Sequence, residues 1–153
     1  MQASTPRRSV DLSDYPDLVV IMLGMRVNRW RGVRTLLGVG PQLNAARDAC
    51  PDGLLAEERM LYSLRHVGFR QYWRDLDALE RFTRSEPHRT WWARFVRDAG
   101  GTGIWHETYR MTGGMEAIYL DMPAIGFARF APERAPRGPF ASARQRLAVP
   151  VPG

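Results

Sequence analysis

The pattern of apolar and polar positions along the chain predicts a mixed α+β domain. Residues 18–27 form an apolar run with little alternation, which predicts a strand buried on both faces. Two β-like runs separated by very little, 54–64 and 66–73, predict a hairpin. Near-helical spacing predicts a helix from about Leu76 to Arg84. Aromatic and β-branched residues between glycine-rich turns predict a last strand, Gly103 to Met111.

The connecting segments follow weaker signals. Residues 33–37 predict a short helical segment, and Gly40-Pro41 predicts the start of a second one that runs to about Ala49, because proline suits a first turn. Ser85-Glu86-Pro87 predicts the start of a further helix, with Ser85 as its N-cap and Glu86 favourable to its dipole. Residues 115–121 are expected to pair with the last strand or to extend the sheet.

The order of the predicted elements is strand, helix, strand, strand, helix, strand. This order is typical of the split βαβ unit of a ferredoxin-like fold with an antiparallel sheet. Helices would cover one face of the sheet, and the other face would expose Trp73, Trp105 and Tyr109 in a monomer. Because so large an apolar patch favours association, we expect a homodimer. We expect a flexible arm over 1–14, one domain over 15–125 and an irregular tail over 126–153.

Composition excludes several classes of function. The single cysteine, Cys50, excludes an intrachain disulfide and a thiolate metal cluster, and three scattered histidines give no metal signature. The net charge of +6 comes from 22 arginines that are spread among acids without an RNP or helix-turn-helix pattern, so nucleic acid is not an expected partner. No apolar run is long enough to cross a membrane and no secretion signal is evident, so a cytoplasmic location is expected.

The last strand carries the best candidates for catalysis, His106 and Glu107. Neighbouring residues on a strand point to opposite faces, so at most one of them can face a given cavity. Imidazoles titrate near neutrality, so His106 is a candidate for proton transfer; the alternative is a half-buried histidine bonded to a neighbour. Glu107, on the same face as Trp105 and Tyr109, is either an acid or base or the partner of an arginine.

A flat ligand could be bound by the aromatic residues of the two last strands, although aromatic residues on strands also form ordinary core. Arg26 and Asn28 are polar candidates at the end of the first strand. The candidate substrate-binding residues are Arg26, Asn28, Tyr72, Trp73, Trp105, Tyr109 and Met111.

Four short motifs give the chain a family resemblance that extends from about Leu18 to about Gly126. The chain resembles the monooxygenase-like family named from fumagillin biosynthesis, which is similar to the antibiotic-biosynthesis monooxygenases. The motifs are Gly103-Ile104-Trp105-His106-Glu107-Thr108-Tyr109, Gln71-Tyr72-Trp73-Arg74, Leu79-Glu80-Arg81-Phe82 and Tyr119-Leu120-Asp121-Met122-Pro123.

The resemblance implies a dimeric α+β barrel and a cofactor-independent monooxygenase that acts on a hydrophobic, natural-product-like substrate. His106 or Glu107 would then deprotonate the substrate, and Arg26, Asn28 or Tyr109 would hold the developing negative oxygen. One alternative is a haem enzyme on the same barrel, either aldoxime-dehydratase-like or haem-degrading. In related haem-degrading barrels the iron-binding histidine lies where we place Trp92, which leaves His88 or His106 as ligands. The other alternative is a non-catalytic ligand-binding dimer.

Overall fold

The structure is a computed structural model that describes residues 6–111, 115, 118–120, 124 and 126–134. The chain divides into two compact units, Asp17–Arg110 and a second unit formed by Met1–Pro16 with Met111–Gly153. The strands are β1 (Arg7–Val10), β2 (Val19–Val27), β3 (Leu54–Ser63), β4 (His66–Trp73), β5 (Thr102–Arg110), β6 (Ile118–Leu120) and β7 (Glu133–Arg134); the α-helices are α1 (Arg31–Asp48), α2 (Leu76–Arg84) and α3 (His88–Arg97), and Gly126–Arg129 form a 3-10 helix.

The larger unit has a four-stranded antiparallel sheet with strand order β3-β4-β2-β5. The apolar strand β2 lies in the interior of this sheet, hydrogen-bonded to β4 on one side and to β5 on the other. Residues of β2 on both faces of the sheet are buried or half-buried except Arg26, which explains why this segment lacks polar alternation. The predicted hairpin and the predicted ferredoxin-like α+β fold are both confirmed.

The sheet has two faces that differ in their contacts. The helix face carries Val19, Ile21, Leu23 and Met25 of β2 with their cross-strand neighbours, since Val19 and Ile21 pack with residues of α2, and Met25 lies opposite Leu36 of α1. The opposite face carries the intervening residues, among them Gly24 and Arg26. Because side chains alternate along each strand, the register assigns every residue of the sheet to one face.

The core of this unit lies between the sheet and α2. Trp73 is fully buried and forms a cluster with Val19, Ala78 and Leu79. Helix α2 begins where the Asp75 side chain accepts a hydrogen bond from the Ala78 N–H at 2.7 Å, a normal N-cap. The predicted exposure of Trp73 on the bare face is therefore wrong, because Trp73 belongs to the helix face, where α2 covers it.

Helix α1 differs from its prediction. It is one helix from Arg31 to Asp48 with Pro41 inside it, rather than two segments with a proline at the start of the second. The residue before a proline is normally driven out of the α region by a clash that involves its Cβ, and Gly40 has no Cβ. The helix ends before Cys50, which adopts a positive φ of 47° and is followed by Pro51.

Helix α3 begins at His88, and Ser85 is not its N-cap as predicted. Ser85 ends α2 instead, and its hydroxyl donates to the Phe82 carbonyl at 2.8 Å. The carboxylate of Glu86 serves the start of α3, since it accepts from the Thr90 hydroxyl at 2.6 Å and from the Thr90 N–H at 3.3 Å. The expectation of an acid favourable to this helix is therefore met by Glu86.

The smaller unit contains an antiparallel sheet with strand order β6-β1-β7. Strand β6 pairs with β1 in this separate sheet, so for the described residues Ile118–Leu120 the prediction that 115–121 pair with the last strand or extend its sheet is wrong. Residues 7–10 fall within the expected arm and form the central strand of this sheet, whereas most of the expected tail lies outside the described residues. Of the helices in the described ranges, none combines the length and apolar character that a membrane span requires.

Candidate active site

Strand β5 sends its two titratable residues to different faces. His106 pairs with Leu23 and so belongs to the helix face, while Glu107 pairs with Met22 and belongs to the opposite face. The alternation predicted from the sequence is confirmed, and the structure decides which residue lies where. A single ligand within this unit can therefore contact only one of the two side chains directly.

His106 lies beside two residues of α3. The ring of Trp92 has its centroid 6.2 Å from that of His106, and His88 is near enough for His106 to contribute to the lowering of the His88 pKa. The Nδ1 atom of His88 lies 3.0 Å from the carbonyl oxygen of Thr83, so Nδ1 carries the proton and donates. Burial lowers the pKa of His88 below its usual value, which keeps this imidazole neutral and leaves the lone pair on Nε2.

A row of side chains crosses the helix face from His106 to the other edge of the sheet. In the register, His106 lies next to Leu23, Leu23 next to Phe69, and Phe69 next to Arg59. The Arg59 guanidinium donates to the side-chain oxygen of Asn44 on α1. The row therefore has a candidate base, His106, at one edge of the sheet and a positive charge, Arg59, at the other, with apolar side chains between them.

A polar chain forms the neighbouring row on the same face. The side-chain amide of Gln71 donates to the Glu57 carboxylate at 2.7 Å, and the indole N–H of Trp73 donates to the Gln71 carbonyl oxygen at 3.1 Å. The buried indole fixes the orientation of the Gln71 amide, and Gln71 in turn holds Glu57. Half-buried Glu57 thus has partners on the helix face and is positioned by them.

A pocket of about 340 Å³ opens between α1 and this face of the sheet. Its lining is mostly apolar, with Arg59 and Asn44 as the polar members; the residues are Met25, Leu36, Gly40, Leu43, Asn44, Arg59, Met60, Leu61, Val67, Gly68 and Phe69. A depression of about 440 Å³ over α2 is larger but is lined by Asp77, Glu80, Arg81, Arg84 and Ser85, so it suits water better than an apolar ligand.

The opposite face carries an aromatic cluster on a floor of two glycines. The indole N–H of Trp105 donates to His66 Nε2 at 2.7 Å, and the ring of Tyr62 stacks on His66 with centroids 4.6 Å apart. A Cβ added at Gly24 would lie 2.6 Å from Trp105 Nε1, and one added at Gly68 would lie 2.8 Å from Tyr62 Cε2. These glycines therefore let two aromatic rings lie flat against the sheet.

Glu107 and Tyr72 have separate partners on the opposite face. The Tyr109 hydroxyl donates to the Glu107 carboxylate, and this bond raises the pKa of Tyr109 above its usual value, so the phenol stays protonated at neutral pH. Buried Tyr72 lies under the Arg70 guanidinium, 5.7 Å from its ring centroid. Among the described residues, the bond to Glu107 comes from a tyrosine rather than from an arginine.

The remaining candidates lie apart from His106. Arg26 is exposed at the end of β2 on the opposite face, and exposed Asn28 follows the strand, with its N–H bonded to the Gly101 carbonyl at 2.9 Å. Met111 follows β5 and belongs to the smaller unit. The expectation that Trp73 walls one pocket with Tyr72, Trp105 and Tyr109 is wrong, since adjacent Tyr72 and Trp73 point to different faces.

Sequence reasoning did not name three polar residues of the helix face, Glu57, Arg59 and Gln71, as site residues, and it considered His88 only as a possible haem ligand. A hairpin symmetric about its turn would pair Glu57 with Tyr72, but a register shift between Leu61 and Ser63 pairs Glu57 with Gln71, so this pair could not be predicted from the turn. The placement of His88 depends on where α3 lies against the sheet, which the sequence pattern does not specify. Within the described ranges, no group of three or more histidine, cysteine or acidic residues could hold a metal ion.

Comparison with solved structures gives matches to enzymes at low sequence identity. An aldoxime dehydratase in complex with butyraldoxime matches with a TM-score of 0.66 at 21% identity, over 94% of this chain and 43% of that one. A second aldoxime dehydratase structure matches with a TM-score of 0.62 at 20% identity, over 93% and 43%. This chain therefore spans less than half the length of those enzymes, and the likeness shows a shared fold.

SnoaB, a cofactor-independent oxygenase from Streptomyces nogalater, also matches, with a TM-score of 0.48 at 13% identity over 63% of this chain and 94% of that one. Similarity at this level is too low for a comparison of sites. No curated protein matches the sequence.

A family model assigns the chain directly. The model described as Monooxygenase af470-like matches residues 18–127, which include β2 to β5 and the three α-helices of the larger unit. The match covers most of the chain and agrees with the resemblance found in the sequence motifs. The chain therefore belongs to the Monooxygenase af470-like family.

Proposed function

We propose that this protein is a homodimeric, cofactor-independent monooxygenase that acts on a hydrophobic, natural-product-like substrate at the helix face of its sheet. Family membership supports monooxygenase chemistry. The observation that carries the choice of face is the position of His106, which shares one row of side chains with residues of the apolar pocket under α1. A base and an apolar binding site on one face are what this chemistry requires.

In the proposed reaction, His106 removes a proton from a carbon atom next to a carbonyl group of the substrate. The resulting carbanion transfers an electron to dioxygen, and the radical pair combines to form a carbon–oxygen bond. Protonation gives a hydroperoxide, and loss of water leaves a new carbonyl group, so that R₂CH₂ and O₂ yield R₂C=O and H₂O. The protein contributes the base, and the substrate supplies the electrons.

The same proposal gives Glu107 a different task. Its carboxylate lies on the face opposite His106, where it accepts the Tyr109 hydroxyl. We assign Glu107 to the orientation of Tyr109 and not to the proton transfer. Arg26 and Tyr109 lie on the opposite face, and Asn28 follows β2. We therefore do not assign these three residues to the oxyanion that forms beside His106.

The proposed dimer forms through the opposite face. Tyr62 and Tyr109 are 43% and 46% exposed there, beside half-buried Trp105, which leaves apolar surface in a single copy. Sedimentation velocity at micromolar concentration should give a dimer that Tyr62→Arg dissociates. Leu64→Arg is the matched control, because Leu64 is 96% exposed in the hairpin turn and should leave the dimer intact. A monomeric wild type, or equal behaviour of the two variants, would contradict the proposed interface.

Activity is tested by oxygen consumption with a panel of anthrones and naphthols, whose acidic positions give electron-rich anions. Purified protein should consume one O₂ for each molecule of anthrone converted to the quinone, without added nicotinamide, flavin, metal or haem. Uncatalysed oxidation is measured with heat-unfolded protein as the reference. Oxygen uptake at the reference rate for every compound, or only after haem is supplied, would argue against the proposal.

A haem enzyme on the same barrel is the second candidate, and His88 is the observation that favours it. Its Nδ1–H donates to the Thr83 carbonyl, the arrangement in which metal-binding histidines present a free Nε2. His88 would hold the haem, with Phe82 and Trp92 as apolar neighbours; haem would supply redox chemistry at iron. Haem titration separates the candidates: a Soret shift that His88→Ala abolishes and His66→Ala retains supports haem, and absence of any shift excludes it.

A further inference from the structure

We infer that the pocket under α1 binds a flat apolar molecule that carries an acidic oxygen, and that Arg59 receives this oxygen. The inference deepens the proposed function, on which it rests, by naming the chemical class of the substrate. It assigns substrate recognition to a residue of β3 that no sequence motif singled out.

The shape of the pocket comes from one side of α1. Leu36, Gly40 and Leu43 recur at the spacing of a single helix face and cover the end of the β3–β4 hairpin. A Cβ added at Gly40 would meet no atom within 4 Å, so space remains beside the helix backbone. A volume of about 340 Å³ lies near the lower end of the range for small-molecule sites, which suits roughly three fused rings.

The lining of the pocket includes apolar surface that a ligand would cover. Leu61 belongs to the pocket, yet it is 70% exposed, since nothing among the described residues covers its outer side. A flat ring system lying between Leu61 and Leu36 would remove apolar surface of both from water. This burial would contribute to the affinity for such a ligand.

Arg59 is the charged residue of the lining. It pairs with Phe69 across the hairpin and so lies on the helix face, and its guanidinium donates to Asn44 on α1. Among the ion pairs of the described residues Arg59 takes part in none, and Glu57, the acid two residues earlier on the same face, accepts from Gln71. Asn44 uses one of the guanidinium N–H groups, and the others can bind a carboxylate or enolate.

The distance to His106 limits the length of the ligand. From Arg59 to His106 the row crosses three strand spacings, roughly 14 Å between backbones, and the long Arg59 side chain shortens the gap. Three linearly fused rings with an acidic oxygen at one end can therefore extend from Arg59 past Leu23 toward His106. A smaller molecule anchored at Arg59 would not reach the proposed base.

The test is isothermal titration calorimetry under nitrogen with anthracene-2-carboxylate and the neutral 2-(hydroxymethyl)anthracene. Wild type should bind the carboxylate about tenfold more tightly than the alcohol. Arg59→Gln should remove this preference, whereas Arg65→Gln, which removes the same charge at the hairpin turn, should keep it. Leu36→Trp should weaken both probes at least tenfold because it fills the pocket, and Leu37→Trp, on an exposed neighbour, should not.

Circular dichroism shows whether Leu36→Trp is folded, and Leu43→Trp fills the same pocket if it is not. Equal affinities of wild type for the two probes, a preference that survives Arg59→Gln, or wild-type binding by both filling variants would overturn the inference. Oxygen uptake is measured separately. If the protein consumes oxygen but Arg59 confers no preference for the carboxylate, only this inference is contradicted. If the probes bind as predicted but no oxygen is consumed, only the proposed function is contradicted.

Discussion

Replacing Trp73 tests the core that positions the polar row of the helix face. Trp73→Phe removes ~40 Å³ of buried side chain, which at about 24 cal/mol per Å³ costs about 1 kcal/mol. It also removes the hydrogen bond from the indole N–H to Gln71, at a net cost of about 1 kcal/mol. We therefore expect the free energy of unfolding to fall by about 2 kcal/mol. Trp73→Ala should cost about 4 kcal/mol, because a fully buried ring leaves a cavity.

Urea unfolding followed by far-ultraviolet circular dichroism measures both values. Trp92→Phe is the matched control, since Trp92 is 51% exposed and its replacement should change stability by less than about 0.5 kcal/mol. If Trp73→Phe cost no more than Trp92→Phe, the assignment of Trp73 to a buried, hydrogen-bonded core position would be refuted. The link from Trp73 through Gln71 to Glu57 would then lose its structural basis.

Two further predictions concern His88 and Gly24, one of the two glycines beneath the aromatic cluster. Burial lowers the pKa of His88, so the unfolded chain binds a proton more readily; the resulting stability is present above about pH 6.5 and is lost as pH falls below that value. Urea titrations at pH 7 and pH 5 should therefore show a smaller pH effect in His88→Gln than in wild type, and equal pH effects would contradict this. Gly24→Ala should cost about 1–3 kcal/mol and alter tryptophan emission, because the new Cβ would displace Trp105. In the control Gly38→Ala, whose Cβ would meet no atom within 4 Å, the free energy of unfolding should rise by up to about 1 kcal/mol. Equal effects of the two substitutions would contradict the close contact of Trp105 with Gly24.

Local sequence signals predicted the elements whose structure is determined locally. Helix α2 has the predicted ends because Asp75 caps it and Ser85 ends it, and the hairpin follows from two β-like runs with a short connection. The division of α1 was predicted wrongly because Pro41 was taken as a first-turn proline, although Gly40 lets the helix continue through it. The partner of residues 115–121 could not be predicted, since β6 pairs with a strand more than one hundred residues earlier.

The candidate site was predictable in part. Alternation along β5 separated His106 from Glu107, but the choice of face depends on where α1, α2 and α3 lie, which is tertiary information. The same alternation applied to Tyr72 and Trp73 would have separated those two residues as well. Arg59 carries no signal in a single sequence, because its face depends on the hairpin register. His88 was considered as a haem ligand, but its position against the sheet depends on the packing of α3.

The most direct test of the account compares His106→Asn with Glu107→Gln in anthrone-dependent oxygen uptake. Glu107→Gln is isosteric, and His106→Asn removes the imidazole base but keeps a polar side chain; the two positions lie next to each other on β5 but on different faces. If His106 is the base on the reacting face, His106→Asn should lower kcat by about 10²–10⁴-fold, and Glu107→Gln, which can still accept the Tyr109 hydroxyl, should stay within about threefold of wild type. Loss of activity in Glu107→Gln with His106→Asn near wild type would contradict the account and would move the reaction to the opposite face.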